Sequence, residues 1–250
     1  MKTKKTVGTF FELGSCNAME CLCAAGFDYV IIDTEHGPFS EESTADFIRA
    51  AENRNVLPFV RIGGVSRPLV LRMLDIGARG LIVPNIKTVQ EVRELVSYAK
   101  FTPIGQRGFC PTRTSAWGSA PWSADIEAYM KECNKRCLVI PQCETKEALD
   151  SIEEIAAIKG VDGIFIGPFD LSLALGVPGQ FFTPVMQNAI KRILDACKKH
   201  RKKAYIFAST PEMAQKFFAM GADSVTCGLD AGMLISAAKS VFEDCKKDLD

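Results

Sequence analysis

Histidine and tryptophan are scarce, two of each in 250 residues, so chemistry built on clusters of imidazoles has almost nothing to draw on. No C-x-x-C pair occurs among the ten cysteines. The spacings present include C-x-C at Cys21 and Cys23 and C-x3-C at Cys133 and Cys137. Several cysteines sit in apolar runs, where the residue behaves as a small hydrophobe. Neither a zinc nor a disulfide framework is legible, and a reduced, cytoplasmic chain is expected. No apolar run approaches the roughly 18 residues of a membrane span. The opening "MKTKKTVGTFFELGS" begins like a leader but meets Glu12 before an apolar core develops. Thirty basic and thirty acidic residues cancel. No net field therefore draws the chain to nucleic acid or an anionic membrane. The one basic block, "KKHRKK" at 198–203, holds His200 and reads as a solvated helix end favoured by the helix dipole.

What is present is a globular composition, 47% hydrophobic and 24% charged, with ample material for a core. Short apolar runs alternate with amphipathic stretches from end to end. Strands are predicted at 7–13, 28–33, 57–62, 80–84, 137–144, 161–167, 203–207 and 223–227. Helix-like segments such as "TADFIRAAENR", "TVQEVRELVSYAK" and "TPVMQNAIKRILDACKK" fall between them, the last opening on a Thr-Pro start. Eight such β-runs, each followed by a helical stretch, point to an α/β fold of the (β/α)8 barrel type, one domain over 1–250. An open doubly wound sheet is the alternative; it would leave edge strands and usually needs fewer repeats. Residues 101–122, with three prolines and three glycines, form an irregular insertion, and a loop that long inside a compact domain is usually functional or mobile.

Barrel active sites form at the C-terminal ends of the strands. There the second run ends in Asp33 and continues to Glu35 and His36, and the third ends at Arg61. The fourth is followed by Asn85 and Lys87. In the fifth, alternation puts Gln142 and Glu144 on one side and Cys143 on the other, facing the helices. The sixth, "VDGIFIGPFDLS", leads to Asp170. Each has a plainer reading: Asp33 and His36 as a helix cap, Arg61 as a structural ion pair, Glu144 as a helix start, Asp170 as an N-cap. Those readings fail together, because consecutive junctions would all have to carry such groups by accident.

Two carboxylates from neighbouring strands, with no cysteine pair or second histidine nearby, make a hard-oxygen site. Mg2+ or Mn2+ suits it better than zinc, with Co2+ also within its range. A cation there can hold a 2-oxo acid and act as a Lewis acid. An arginine can stabilise the developing enolate oxygen. Asp33 would orient His36, and an imidazole titrates where proton transfer at neutral pH needs it.

Taken in order, "FDYVIIDTEHGP", "PFVRI", "MLDIGARGLIVPNI", "PIGQRG", "VIPQCET" and "GVDGIFIGPFDLSLALGVPG" resemble the HpcH/HpaI family of metal-dependent (class II) pyruvate aldolases. The resemblance runs over nearly the whole chain, and "Q-x-E" together with "GP-x-DLS" is its specific part. It implies a (β/α)8 barrel in a homo-oligomer, a hexamer built from dimers that exchange a C-terminal helix. It further implies reversible cleavage of a 4-hydroxy-2-oxo acid to pyruvate and an aldehyde through a metal-bound enolate, with no organic cofactor. By motif, Glu144 and Asp170 would hold the metal, Arg61 would contact pyruvate and its enolate, and His36 with Asp33 would be the general base. Gln142 would line the pyruvate pocket, and backbone around Gly167, Phe169 and Asp170 would bind the carboxylate. The segment "FCPTRTSAWGSAPW" matches least, and in relatives that loop lies near the active-site mouth.

Other readings are weaker. A Schiff-base aldolase would need an interior lysine near a strand's C-terminal end, and Lys203 opens its strand while Lys87 lies past one. A malyl- or citramalyl-type thioester lyase or a 2-oxo acid decarboxylase would share the enolate. A CoA substrate would, however, want a basic groove at the mouth, where only Arg107 and Arg113 offer themselves. A non-catalytic barrel would show damage among Asp33, His36, Arg61, Glu144 and Asp170, and all five are present. A phosphate site after strands seven and eight has only "TCGLDAG" to suggest it.

Overall fold

The computed structural model describes residues 5–247, so the first four residues of the leader-like stretch lie outside it. Eight parallel strands run β1 Thr6–Phe11, β2 Tyr29–Asp33, β3 Leu57–Arg61, β4 Gly80–Val83, β5 Leu138–Cys143, β6 Gly163–Ile166, β7 Lys203–Ala208 and β8 Ser224–Leu229. Each pairs with the next, and β8 pairs back onto β1. This closed single-domain (β/α)8 barrel is the expected architecture, and the β1–β8 ladder excludes the open sheet. Every predicted run forms a strand, its ends moved by at most two residues.

The outer layer comprises α1 Cys16–Ala24, α2 Glu41–Asn53, α3 Arg67–Ile76, α4 Val89–Ala99, α5 Ile126–Arg136 and α6 Lys146–Asp150. It continues with α7 Ile152–Ala157, α8 Pro168–Ala174, α9 Pro184–His200, α10 Pro211–Met220 and α11 Asp230–Lys246. Local chemistry starts several of these. Thr88 accepts from the Glu91 amide at 3.2 Å while the Glu91 carboxylate accepts the Thr88 amide at 2.8 Å, a capping box that opens α4. Thr183 caps α9 with Pro184 as its first residue, as the Thr-Pro start predicts. Among the described residues no helix is long and apolar enough to cross a membrane.

Period-two alternation decides what faces the barrel axis. Phe10, Tyr29, Ile31, Phe59, Ile82, Ile140, Phe165 and Tyr205 fill the interior as one cluster. Their neighbours Phe11, Val30, Ile32, Val60, Leu81, Val83, Val139 and Cys143 pack outward against the helices. At the N-terminal end the rings need room, and glycines provide it. A Cβ on Gly8 would lie 2.2 Å from the Tyr29 ring, and one on Gly80 2.7 Å from Phe59. The same alternation carries polar side chains to the other end: Asp33 follows Ile31, Arg61 follows Phe59, and Gln142 and Glu144 follow Ile140.

Within this chain the insertion at 101–122 does not reach the mouth of its own barrel. Much of it is ordered in two short 3-10 turns, Arg113–Gly118 and Pro121–Ser123, and it packs at the N-terminal end of the barrel. Arg113 reaches Glu52 at the end of α2 at 2.6 Å, and Arg107 reaches Asp75 near the end of α3 at 2.7 Å. Helices run opposite to the strands, so both guanidiniums sit away from the C-terminal rim and offer no basic groove there.

One buried charge anchors this end. Lys100, 1% exposed, donates to the carbonyls of Asn134 at 2.8 Å and Cys137 at 2.5 Å and to the Asp162 carboxylate at 2.7 Å. It ties the end of α4 to α5 and to the starts of β5 and β6. Lys100→Met leaves two carbonyls unpaired and takes the cation from Asp162, which keeps the Val139 amide at 2.8 Å, and is expected to destabilise by about 3 kcal/mol. That corresponds to a Tm lower by about 6–12 °C in a domain of this size. A change under about 2 °C in thermal unfolding followed by circular dichroism would show that the ammonium anchors nothing.

Candidate active site

Asp33 and Arg61 are direct register partners on β2 and β3, and their side chains meet just above the aromatic filling. Arg61 Nε donates to Asp33 Oδ1 at 2.9 Å and Nη2 to Oδ2 at 2.5 Å. Asp33 is fully buried, and the Arg61 side chain is 13% exposed. The guanidinium lies 4.6 Å from the centre of the Phe10 ring. Burial by itself would raise the Asp33 pKa, but the Arg61 hydrogen bonds and charge outweigh it and the net shift is downward. Burial likewise pulls Arg61 down, and Asp33, Glu35 and Glu144 more than offset it.

Asp33 Oδ1 also accepts the backbone amides of Glu35 at 3.1 Å and His36 at 3.4 Å. The carboxylate therefore shapes the turn that carries His36 and does not touch the imidazole, which is where the expectation that Asp33 orients the ring differs from the structure. The reason is reach: both oxygens are committed to Arg61, and the chain turns outward after Asp33. The His36 ring is 70% exposed, with Nε2 3.9 Å from Glu35 Oε2.

Past β5, Glu144 is buried. Its Oε1 accepts the Asn85 amide at 2.7 Å, and its Oε2 accepts from Gln142 Nε2. Asn85 sits at φ 53°, a left-handed turn that brings its amide to bear. Gln142 Oε1, buried, has no partner among the described residues. Gly167 keeps this corner open, since a Cβ there would lie 2.7 Å from Glu144 Oε2 and 2.9 Å from Gln142 Nε2. Asp170 stands exposed in the first turn of α8, whose N-cap is Gly167, so the N-cap reading of Asp170 does not hold. Burial, then the Asn85 and Gln142 hydrogen bonds acting against it, then the charges of Asp170 and Glu35, leave the Glu144 pKa raised.

Two connected cavities open on these groups. One, about 580 Å³, is bordered by Glu35, Asn85, Glu144 and Glu147. The other, about 200 Å³, has an apolar wall of Phe10, Phe169, Phe207 and Leu229, with Gln142 and Gly167 opposite. His36, Arg61 and Asp170 border both. Glu12 also lines the smaller cavity, and burial together with the charge of Asp33 raises its pKa. In the sequence Glu12 stands out only as the charge that interrupts the leader-like start. Continuing the Gly8, Phe10 alternation by two residues would have placed it on the rim. Lys87 is exposed beyond β4 and lines neither cavity.

The arrangement tests what ion would fit. Among the described residues no three His, Cys, Asp or Glu gather as a metal cage. The donors are two carboxylates, Glu144 and Asp170, beside an orphaned amide oxygen that can accept from water. Such a set suits a hard cation that keeps several waters, as Mg2+ does. A positive charge would also relieve the penalty on ionised Glu144.

A sequence profile of HpcH/HpaI aldolase/citrate lyase proteins matches residues 6–237. The chain belongs to the HpcH/HpaI aldolase/citrate lyase family. It is 34% identical over 239 residues, 95% of this chain and 87% of the relative, to 2-keto-3-deoxy-L-rhamnonate aldolase of Escherichia coli strain K12. A solved HpcH/HpaI family protein from Burkholderia cenocepacia J2315 superposes with a TM-score of 0.89 at 31% identity, covering 98% of this chain and 95% of that one. The citrate synthase SbnG superposes at 0.86 with 28% identity, covering 98% and 94%. Membership in the HpcH/HpaI family, with aldolase relatives over nearly the full length, makes this protein a carbon–carbon lyase.

The raised pKa of Glu144 has a measurable consequence. Its ionised form is penalised in the fold, so the penalty is full above the folded pKa and absent below the ordinary value of 4.5. Glu144→Gln removes it, and a turned Gln142 amide can still pair with the new side chain. In EDTA-treated protein at pH 8 the variant should melt about 2–4 °C higher, the effect of ~1 kcal/mol in a domain of this size. The gain should fade as the pH falls toward 4.5. A variant less stable than the parent at pH 8 would mean that the carboxylate is not strained.

Proposed function

We propose that the chain, acting as one catalytic domain over 1–250, reversibly cleaves a 4-hydroxy-2-oxo acid to pyruvate and an aldehyde with a divalent cation such as Mg2+ or Mn2+. The observation that carries this is Arg61, a largely buried guanidinium pinned by Asp33 at the floor of a cavity whose rim bears Glu144 and Asp170. The relatives named 2-keto-3-deoxy-L-rhamnonate aldolase support the 2-oxo acid half.

Glu144 and Asp170 would hold the cation, which when bound supplies Lewis acidity toward the 2-oxo group. Nε and Nη2 of Arg61 hold Asp33, which leaves Nη1 for the oxygen that gains charge as the enolate forms. Backbone around Gly167, Phe169 and Asp170, at the start of α8, would receive the substrate carboxylate, and Gln142 would line the pyruvate side. His36, at the mouth, would take the C4 hydroxyl proton as the C3–C4 bond breaks and its electrons pass into the enolate; protonation at C3 then completes pyruvate. Asp33 serves in this reading by fixing Arg61 and the His36 turn.

In D2O, methyl protons of pyruvate followed by NMR should exchange only after Mg2+ or Mn2+ is added to EDTA-stripped protein. Arg61→Ala and Glu144→Ala should each slow the exchange by at least about 100-fold. Arg61→Lys should not restore it, because an ammonium cannot hold Asp33 with two hydrogen bonds and still face the cavity. Exchange without metal, or undiminished in Arg61→Ala, would refute the assignment.

We also propose a homo-oligomer built by exchange of α11. Of that helix only Asp230 is buried, while Leu234, Ile235, Val241 and Phe242 are each more than 60% exposed. Four large apolar side chains on one helix are an interface signature. Light scattering should give a multiple of the dimer mass, and Ile235→Asp with Phe242→Asp should reduce it. An unchanged mass in that variant would exclude α11 from the interface.

A further inference from the structure

A separate cavity, about 280 Å³, lies at the opposite end of the barrel, where β4 and β5 begin. Four guanidiniums line it, those of Arg79, Arg107, Arg113 and Arg136, against the single acidic residue Glu52. Arg113 is paired to Glu52, and Arg107 to Asp75 outside the lining. Arg136 holds Glu132, on its own helix, only at 3.6 Å. Arg79 has no ion pair among the described residues; the one hydrogen bond of its side chain there is a 3.5 Å contact from Nε to the Arg136 carbonyl. The Arg107 side chain is 4% exposed, and its Nε has no partner there either. Burial first, and the charge of Arg136 second, push the Arg79 pKa down, as expected of a wall with unbalanced positive charge. Both tryptophans of the chain, Trp117 and Trp122, line the same cavity. Trp122 is stacked on Tyr129, whereas Trp117 is 72% exposed.

We propose that this cavity binds a phosphate monoester carrying one flat ring. Planar guanidiniums present paired N–H donors that match phosphate oxygens, which a lone unpaired arginine beside another otherwise lacks reason to do. An exposed indole supplies the face for a ring. The volume, about 280 Å³, falls just below the range for small-molecule sites, about 300–1,000 Å³, and so favours a single ring system over a dinucleotide. The site is separate from the lyase centre, because it borders the strand beginnings and the lyase cavities border the strand ends.

The two tryptophans make the test selective, since no tryptophan lines the cavities at the other end. Full-length protein would be titrated at constant ionic strength with adenosine 5′-monophosphate, and with adenosine as control, reading tryptophan fluorescence with excitation at the red edge. A saturable change is expected with the monophosphate, half-complete below about 1 mM, and none with adenosine. Arg79→Gln breaks no ion pair, should keep pyruvate exchange at the parent rate, and should weaken the monophosphate response by at least about tenfold. If that variant does not fold, Arg113→Gln carries the same expectation for binding. No saturable change, an equal response to adenosine, or an undiminished response in the arginine variant would each overturn the proposal, as would a cavity filled by a second copy of the chain.

Discussion

The contact between Arg61 and Asp33 is the constraint on which the rest of the rim depends. Taking two charges out of water is expensive, and the pair persists because every Asp33 oxygen is hydrogen-bonded, one of them to the backbone that turns toward Glu35 and His36. A buried pair of this kind contributes little net stability. What it contributes is position: a guanidinium held at the top of a packed aromatic core, unable to swing away. It also sets the electrostatics around it. Glu35 and Glu144 still carry raised pKa values, because burial outweighs the attraction of Arg61 at Glu35 and the hydrogen bonds from Asn85 and Gln142 at Glu144. Carboxylates that are uncomfortable when ionised are suited to receive a cation.

The barrel separates two jobs along its axis. Near the strand beginnings, Gly8 and Gly80 give way to the rings of Tyr29 and Phe59, and the interior closes. Near the strand ends the same inward positions become Asp33, Arg61, Gln142 and Glu144, and the interior opens. This is the division expected of barrels, stability at one face and chemistry at the other. The insertion at 101–122 departs from it by building a separate, arginine-lined cavity at the stable face. β4 and β5 run between the two regions: Arg79 and Cys137 stand just before them, and Asn85 and Glu144 just after.

The cysteines show why composition alone says little about chemistry. Cys143 lies between two rim residues in sequence, yet alternation turns it outward into the layer beneath the helices, in the same apolar cluster as Cys197. Burial drives its thiol far above the ordinary range, so it is an inert filler beside a reactive edge.

Alternation and run length alone determined the eight strands and the side on which Asp33, Arg61, Gln142 and Glu144 emerge, because facing in or out is a local property with a period of two; closure rests on the ladder between the first strand and the last. The same rule, carried past the end of β1, would have found Glu12. Only the tertiary structure decided which of these groups touch. Asp33 grips Arg61, 28 residues away, and not the nearby imidazole, because strand register outranks closeness in sequence. It also decided what the insertion meets. Its place after α4 and before β5 sends residues 101–122 to the N-terminal face, but that Arg113 finds Glu52 there and Arg107 finds Asp75, on two distant helices, no local pattern shows. Contacts between segments far apart in the chain have no local pattern to announce them, and here they set the partners of the site and the lining of the separate cavity.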